Sequence, residues 1–169
     1  MENIQKKAHI ISSSSFVLIL IFCLLPFVSV RCSGEKIVEA TGVELLTGNY
    51  SFSDKSMDKE KKTNPFMILV VLSIFAGIVF SIAFKNKGKK YKTSVISSAA
   101  VISISLILMQ LYISYDVKSQ SKQNDELAAA VSSMITVNYE IGYWLCLLLP
   151  LALILFMLFM PKKDLEATS

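Results

Sequence analysis

Four long apolar runs dominate the pattern of hydrophobic and polar positions in this chain of 169 residues. They cover residues 10–30, 66–84, 93–114 and 141–160, and none of them contains Asp, Glu, Lys or Arg. About 20 apolar residues form a helix long enough to cross the hydrocarbon core of a bilayer. The pattern therefore predicts an all-α membrane protein with four transmembrane helices in a single membrane domain, residues 1–169.

The composition supports lipid as the solvent, because 53% of the residues are hydrophobic, more than one core of this size can bury. The net charge of +4 raises the alternative of a nucleic-acid partner. However, the basic residues lie in short segments beside the helix ends rather than on one folded face. This placement favours a role in membrane orientation over nucleic-acid binding.

Lysine is concentrated in the connection between the second and third runs, residues 85–92, which has five lysines and no acidic residue. Cytoplasmic loops of membrane proteins carry such an excess. Four crossings then place both termini in the cytoplasm as well. The inner segments carry a net charge of +6 and the outer segments −2, which together give the +4 of the chain. A binding patch for anionic lipid head groups is the alternative interpretation of this loop.

The first run needs a separate test, because Lys6 and Lys7 precede it as they would precede a secretory signal. A cleaved signal ends in small residues, whereas this run ends in residues 28–31, Val-Ser-Val-Arg. Arg31 also stands where a lipoprotein would have a small residue before its acceptor cysteine. We therefore predict an uncleaved helix.

The first outer segment, residues 31–65, begins with two short runs rich in β-forming residues, 28–32 and 36–40. They flank a turn that contains Gly34 and predict a small extracytoplasmic β-ribbon. Residues 43–47 then predict one short turn or helix between two glycines. These features supply the candidate interaction residues, which are Cys32, Gly34, Gly42, Glu44, Leu45 and Gly48.

The rest of this segment is polar over residues 50–62 and predicts a mobile tether. It ends at Asn64 and Pro65, a helix cap followed by proline at the first helical position. This pair predicts the start of the second membrane helix.

The second outer segment, residues 115–140, predicts an amphipathic helix that follows Asn124. Its apolar positions recur with helical spacing at Leu127, Val131, Met134 and Ile135. The aromatic residues that follow are typical of the belt that anchors a helix at the membrane interface; they are Tyr139, Tyr143 and Trp144. Ligand stacking on Trp144 is the alternative interpretation.

Inside the membrane, small residues indicate close helix packing. Ser73, Gly77 and Ser81 form a stripe with a spacing of four on the second helix, and we expect the third helix to be its neighbour. Serines on the third helix predict contacts on two sides of that helix. The candidate packing residues are Ser73, Gly77, Ser81, Ser94, Ser98 and Ser103. A serine-lined pathway for a solute is the alternative, although serine also bonds to its own helix carbonyls.

Residues for catalysis or metal binding are few. The chain has no phosphate-binding loop, no zinc-protease motif and no nucleophile elbow, so no enzyme activity, cofactor or metal is predicted. His9 is the only histidine. Gln110 lies near the outer end of the third helix and belongs to the polar groups that a solute pathway would use. Glu140 lies at the outer mouth of the fourth helix and can reach water, so it indicates a charge at the helix entry rather than an intramembrane site.

The three cysteines do not form a C-x-x-C pair. Cys23 and Cys146 lie in predicted membrane helices, and Cys32 alone is expected outside. Cys32 could therefore pair only with Cys146 or with another chain. A free thiol at Cys32 is the prediction.

Residues 25–34, LPFVSVRCSG, followed by 41–48, TGVELLTG, resemble a pattern in small uncharacterised bacterial membrane proteins. The resemblance covers about a seventh of the chain and implies no known activity. The plan of four helices with a β-containing first outer loop is also similar to claudins, in topology only. The chain lacks the paired loop cysteines and the W-x-x-W pattern of claudins, and it lacks the C-C-G of tetraspanins.

These features together predict a multi-pass protein of a bacterial cytoplasmic membrane with a non-enzymatic, accessory or interaction role carried by its outer loops. The expected partners are the lipid bilayer and either another membrane or envelope protein or a second copy. The alternative is a small transporter or channel for an uncharged or weakly charged solute. Transport of ions would usually require charged groups within the membrane, and the apolar runs contain none.

Overall fold

The computed structural model describes residues 2–32, 34–48, 51–52, 63–84, 88–120 and 135–159. Five helices and four strands are present in this part of the chain. In chain order they are α1 (Glu2–Phe22), β1 (Pro26–Cys32), β2 (Glu35–Thr41), α2 (Gly42–Thr47), β3 (Ser51–Phe52), α3 (Pro65–Ala83), α4 (Gly88–Gln120), β4 (Ile135–Tyr139) and α5 (Ile141–Phe159).

Three helices are long and apolar enough to cross a membrane, which confirms three of the predicted spans. They correspond to Pro65–Ala83, Lys90–Tyr115 and Ile141–Phe159. Each matches its apolar run closely, although α4 extends several residues beyond the predicted segment at both ends. The chain is thus a membrane protein by the length and composition of these helices.

The first predicted span, residues 10–30, is wrong in its second half. Helix α1 ends at Phe22, and β1 already begins at Pro26, so the uninterrupted apolar part of the helix is only Ala8–Phe22. Proline has no N–H for a helical hydrogen bond and disfavours a helical residue before it. Hydrophobicity alone could not locate this boundary, because a buried strand is as apolar as a membrane helix.

The predicted β-ribbon is confirmed and is part of a larger sheet. Strands β1 and β2 pair antiparallel from Cys32 opposite Glu35 to Pro26 opposite Thr41, and Gly34 in the turn has a φ of 90°, which glycine adopts easily. The full strand order is β3-β2-β1-β4. Strand β4 comes from the second outer segment and pairs antiparallel with β1, so one sheet joins both segments.

Strand β4 replaces part of the predicted amphipathic helix. Ile135, expected at the end of that helix, is the first residue of β4, and the other predicted helical positions lie outside the described residues. Pairing with β1 selects the extended conformation for residues 135–139, because the open edge of β1 provides hydrogen-bond partners for their backbone.

The four long helices run alternately up and down beside one another. Helix α1 packs on α3 and α5, and α4 packs on the same two helices. At one end, which we call the sheet end, Phe27 of β1 packs on Tyr143 of α5. At the opposite end, Ser12 of α1 meets Ser81 of α3 and Tyr91 of α4.

Helix α3 starts as the sequence predicted. The side chain of Asn64 accepts a hydrogen bond of 3.0 Å from the N–H of Phe66, and Pro65 is the first helical residue. The backbone N–H of Asn64 also donates to the carbonyl of Leu45 at 3.0 Å. This bond fixes α2 at the start of α3.

Candidate functional site

Polar side chains line one face of the sheet, which we call the polar sheet face. Ser29 on β1 lies opposite Glu39 on β2 and Asn138 on β4, and residues directly opposite in an antiparallel sheet share a face. Arg31 lies opposite Lys36 and Thr136 in the next row. The other face carries valines from all three of these strands, together with Ala40 and Tyr139.

A β-bulge brings Lys36 to this face. One step along β1, from Val30 to Arg31, corresponds to two steps along β2, from Val38 to Lys36. Without the extra residue, Lys36 and Glu39 would point to opposite sides of the strand. In the structure Lys36 Nζ lies 3.1 Å from Glu39 Oε2.

Glu140 connects the two outer segments at this face. It follows β4 directly, and its Oε1 accepts a hydrogen bond of 2.6 Å from the hydroxyl of Ser29, which is 0% exposed. Lys36 Nζ lies 3.8 Å from the same oxygen. The backbone N–H of Glu140 donates to the carbonyl of Phe27 at 2.9 Å. The residue predicted to be a charge at the mouth of a helix is therefore also a link between segments that are far apart in sequence.

Arg31 is a second cation on the polar sheet face, beside Lys36. Its side chain is half-buried, and its Nε is shielded from solvent with no hydrogen-bond partner among the described residues. A guanidinium group presents several N–H donors in a plane and binds carboxylates strongly. The arrangement can therefore bind an acidic group that approaches the sheet.

The aromatic residues predicted to anchor the chain at the interface divide into two kinds. Tyr143 is 0% exposed and Tyr139 lies in β4, so the anchor prediction is wrong for Tyr143 and incomplete for Tyr139. The Tyr143 hydroxyl donates to Gln110 Oε1 at 2.8 Å, and the Tyr139 hydroxyl to the Gln110 carbonyl at 3.0 Å. Trp144 is 48% exposed and donates to the Tyr139 carbonyl at 3.2 Å.

Most of the predicted interaction residues have structural roles instead. Glu44 Oε2 accepts from the N–H of Thr41 at 2.7 Å while the Thr41 hydroxyl accepts from the N–H of Glu44 at 3.2 Å, a capping box at the start of α2. Leu45 is buried, and Gly48 ends the helix with a φ of 74°. A Cβ on Gly42 would lie 2.7 Å from the carbonyl oxygen of Cys23.

Cys32 and Gly34 are placed differently, at the hairpin tip. Cys32 is the last residue of β1, about 20 Å along the strand from Pro26. A Cβ on Gly34 would meet no atom within 4 Å. Of the six predicted interaction residues, these two are therefore the ones that a partner could reach.

The predicted packing stripe contacts α1 as well as the expected neighbour. A Cβ on Gly77 would lie 2.6 Å from the ring of Phe16 in α1, and the Ser81 hydroxyl lies 2.9 Å from that of Ser12, also in α1. Ser73 is half-buried on the same helix. Helix α4, the predicted neighbour, packs on α3, and its Tyr91 meets Ser12 beside Ser81.

On α4, Ser98 and Ser103 are buried and Ser94 is half-buried. The Ser103 hydroxyl donates to the carbonyl of Ala99 at 3.0 Å, one turn earlier in the same helix. This serine therefore meets its hydrogen-bonding requirement without a solute.

Sequence reasoning missed two features that depend on distant contacts. The polar sheet face needs β4, whose only local signal is the alternation of polar and apolar residues in 136–139. The second feature is the proximity of Cys23 and Cys146, which both donate a hydrogen bond to the carbonyl of Ile19. Within the described part of the chain, no group of three or more His, Cys, Asp or Glu is arranged to hold a metal ion.

Comparisons with protein-family models, curated proteins and solved structures found no match for this chain.

Proposed function

We propose that this chain is a non-enzymatic, four-span protein of a bacterial cytoplasmic membrane that binds another envelope protein through its polar sheet face. In this proposal both termini and the loop 85–92 are cytoplasmic, and the sheet is outside. The interaction is accessory: the chain recognises a partner and carries out no chemistry on it.

The course of α1 supports a fourth crossing. Ser12 near its start contacts Ser81 at the end of α3, and Phe16 lies against Gly77 one turn further. Gly42 packs between Cys23, just after α1, and Met67, at the start of α3. A Cβ on Gly42 would lie 2.7 Å from the carbonyl oxygen of Cys23 and 2.9 Å from the Met67 side chain, so these two residues are close neighbours. Helix α1 thus accompanies α3 along most of its length, and its apolar part, Ala8–Phe22, corresponds to about 22 Å of the roughly 30 Å of a hydrocarbon core.

The distribution of lysine supports the orientation. Lys90 and Lys92 are at the start of α4, at the end of the molecule opposite to the sheet. A lysine-rich connection at this end is typical of the cytoplasmic side. The sheet then faces the cell envelope, where a protein partner is accessible.

The single observation that carries the proposal is Arg31. Its Nε has no acceptor among the described residues, and a partner carboxylate that binds the half-buried guanidinium would gain a charge-assisted hydrogen bond. The polar sheet face also holds Arg31 on a strand that is paired on both sides. A preformed cationic group of this kind favours an acidic segment of a partner.

The polar groups among the helices give less support to the alternative of a transporter. Ser103 bonds to its own helix, Gln110 to Tyr143, and Ser12 to Ser81 and Tyr91. Each group already has a partner within the protein. A solute pathway would need polar groups that are free to exchange hydrogen bonds with the solute.

The proposal is tested by site-specific photo-crosslinking from position 138 in living cells, followed by purification in mild detergent. We expect a cross-linked partner with the wild type, and loss of most of the product with Arg31→Gln. Lys90→Gln is the matched control, since it removes an exposed lysine at the opposite end and should leave the product unchanged.

A second variant distinguishes the two functions. Ser103→Ala should leave both the cross-link and the cellular role intact if the protein acts by contact. A cellular role that is lost with Ser103→Ala and kept with Arg31→Gln would contradict the interaction proposal and support a solute pathway.

A further inference from the structure

Two cysteines that are 123 positions apart in sequence meet where the helices join the sheet. Cys23 follows the last residue of α1, and Cys146 lies in the second turn of α5. Both side chains are buried, at 4% and 0% exposure. The thiol of Cys146 and the backbone N–H of Cys23 both contact the carbonyl of Ile19.

The geometry around the carbonyl of Ile19 fixes this proximity. That oxygen accepts from the backbone N–H of Cys23 at 3.1 Å and from the thiol of Cys146 at 3.5 Å. Both cysteines are therefore held on one acceptor at the C-terminal end of α1. Since both distances end on the same oxygen, the Cys146 sulfur lies within about 7 Å of the Cys23 backbone nitrogen, a range in which disulfides form.

The surroundings of Cys23 hold it in place. Its carbonyl accepts a hydrogen bond of 3.2 Å from the N–H of Val43, and Gly42 packs directly on its backbone. Near Cys146, the same helix packs closely on β1: a Cβ on Gly142 would lie 2.6 Å from the carbonyl oxygen of Pro26. The backbone segments that carry the two thiols are thus fixed by close contacts on both sides.

We propose that Cys23 and Cys146 form a site of reversible oxidation, in which a disulfide oxidant converts the thiol pair to an intramolecular disulfide that joins α1 to α5. This inference goes beyond the interaction function and does not depend on the identity of a partner. Both cysteines are free in the structure.

The reaction proceeds by two thiol–disulfide exchanges. The Cys23 thiol loses its proton and attacks the oxidant, so that a mixed disulfide forms and one thiol leaves. The deprotonated Cys146 thiol then attacks the Cys23 sulfur, and the second thiol leaves. In total two electrons and two protons pass from the protein to the oxidant, which becomes two thiols.

The product would stabilise the junction between the helices and the sheet. A disulfide that closes a long loop restricts the unfolded chain strongly. It would also prevent α1 and α5 from separating at the sheet end, where β1 and β4 connect to them. Oxidation would therefore make the polar sheet face more rigid.

The third cysteine provides the control for the experiment. Cys32 lies at the hairpin tip, at the far end of β1 from Cys23, so Cys32→Ser should leave the pair undisturbed. The full-length Cys32→Ser protein is purified in detergent and treated with 4,4′-dithiodipyridine, a small neutral disulfide. Released thiopyridone is measured by absorbance, and the protein mass by mass spectrometry without reduction.

We expect two equivalents of thiopyridone, a mass loss of about 2 Da, and a linked peptide that contains Cys23 and Cys146. The apparent melting temperature should rise by several degrees and return to its original value after reduction. Cys146→Ser in the same background should lose the linkage.

The inference would be overturned if the folded Cys32→Ser protein keeps both thiols free after prolonged treatment, or if each thiol retains a separate pyridyl adduct. A further result against it is a linked peptide between two different copies of the chain. These outcomes do not bear on the proposed partner binding, because the photo-cross-link from position 138 is measured separately.

Discussion

Tyr143 of α5 and Gln110 of α4 are joined by a hydrogen bond of 2.8 Å between the phenol and the side-chain carbonyl. The Tyr143 side chain is fully buried, and its ring also packs edge-to-face on Phe27 of β1 at 6.3 Å between centroids. One side chain therefore links two helices to the sheet. Removing one partner of this hydrogen bond leaves the other polar group without a partner, which lowers the stability of the protein.

Tyr143→Phe should destabilise the protein by about 1–3 kcal/mol, because the partly buried side-chain oxygen of Gln110 loses its donor. Thermal unfolding in detergent measures the change. Tyr115→Phe is the control, since Tyr115 is 74% exposed and its substitution should have almost no effect. The double variant Tyr143→Phe with Gln110→Leu should lose less than the sum of the two single variants, and strictly additive losses would show that the bond contributes nothing.

Gly77→Leu should separate α3 from α1, since even a Cβ at this position would lie 2.6 Å from the Phe16 ring. Overpacking of this kind costs about 1–3 kcal/mol, so both the stability in detergent and the amount in the membrane should fall. Ala83→Leu on the same helix is the control, because Ala83 is exposed. If the two variants have the same stability, the Gly77 stripe does not form the contact with α1.

Ser29→Ala should lower the free energy of unfolding by about 1–3 kcal/mol, because Glu140 loses a hydrogen bond of 2.6 Å from a buried donor. Ser14→Ala removes the same hydroxyl from an exposed site where it bonds only to its own helix. Chemical denaturation should distinguish the two variants. A Ser29→Ala protein as stable as Ser14→Ala would mean that the link between the outer segments carries little energy.

The orientation predicts the accessibility of engineered thiols. In a Cys32→Ser background, Thr136→Cys on β4 should react with a membrane-impermeant maleimide in cells whose outer barrier is permeabilised, and Lys90→Cys should react only after the cytoplasmic membrane is disrupted. Both side chains are exposed at opposite ends of the molecule. Labelling of the Lys90→Cys protein alone in intact cells would reverse the proposed topology.

Several elements could be predicted from the sequence because their signals are local. Helices α3, α4 and α5 each contain an apolar segment that is longer than a buried helix of a soluble protein requires. The hairpin of β1 and β2 is marked by Gly34, and the start of α3 by Asn64 and Pro65. In each case the signal lies within a few residues of the feature it predicts.

The candidate site could not be predicted in the same way. Ser29 and Glu140 are 111 positions apart, and no local pattern indicates that they meet. That Arg31 Nε has no acceptor among the described residues could be recognised only after its neighbours on β2 and β4 were known. The bulge that turns Lys36 toward Glu39 is likewise a property of the register between two strands.

The sequence by itself determined that the chain lies in a membrane, because the transfer of apolar side chains into lipid depends on composition over about 20 consecutive residues. Tertiary structure alone decided where α1 gives way to β1, that residues 135–139 form a strand, and that Cys23 meets Cys146. The reason is physical: these features depend on hydrogen bonds and packing between segments that are distant in the chain. Only the folded arrangement brings such segments to the distances at which those interactions act.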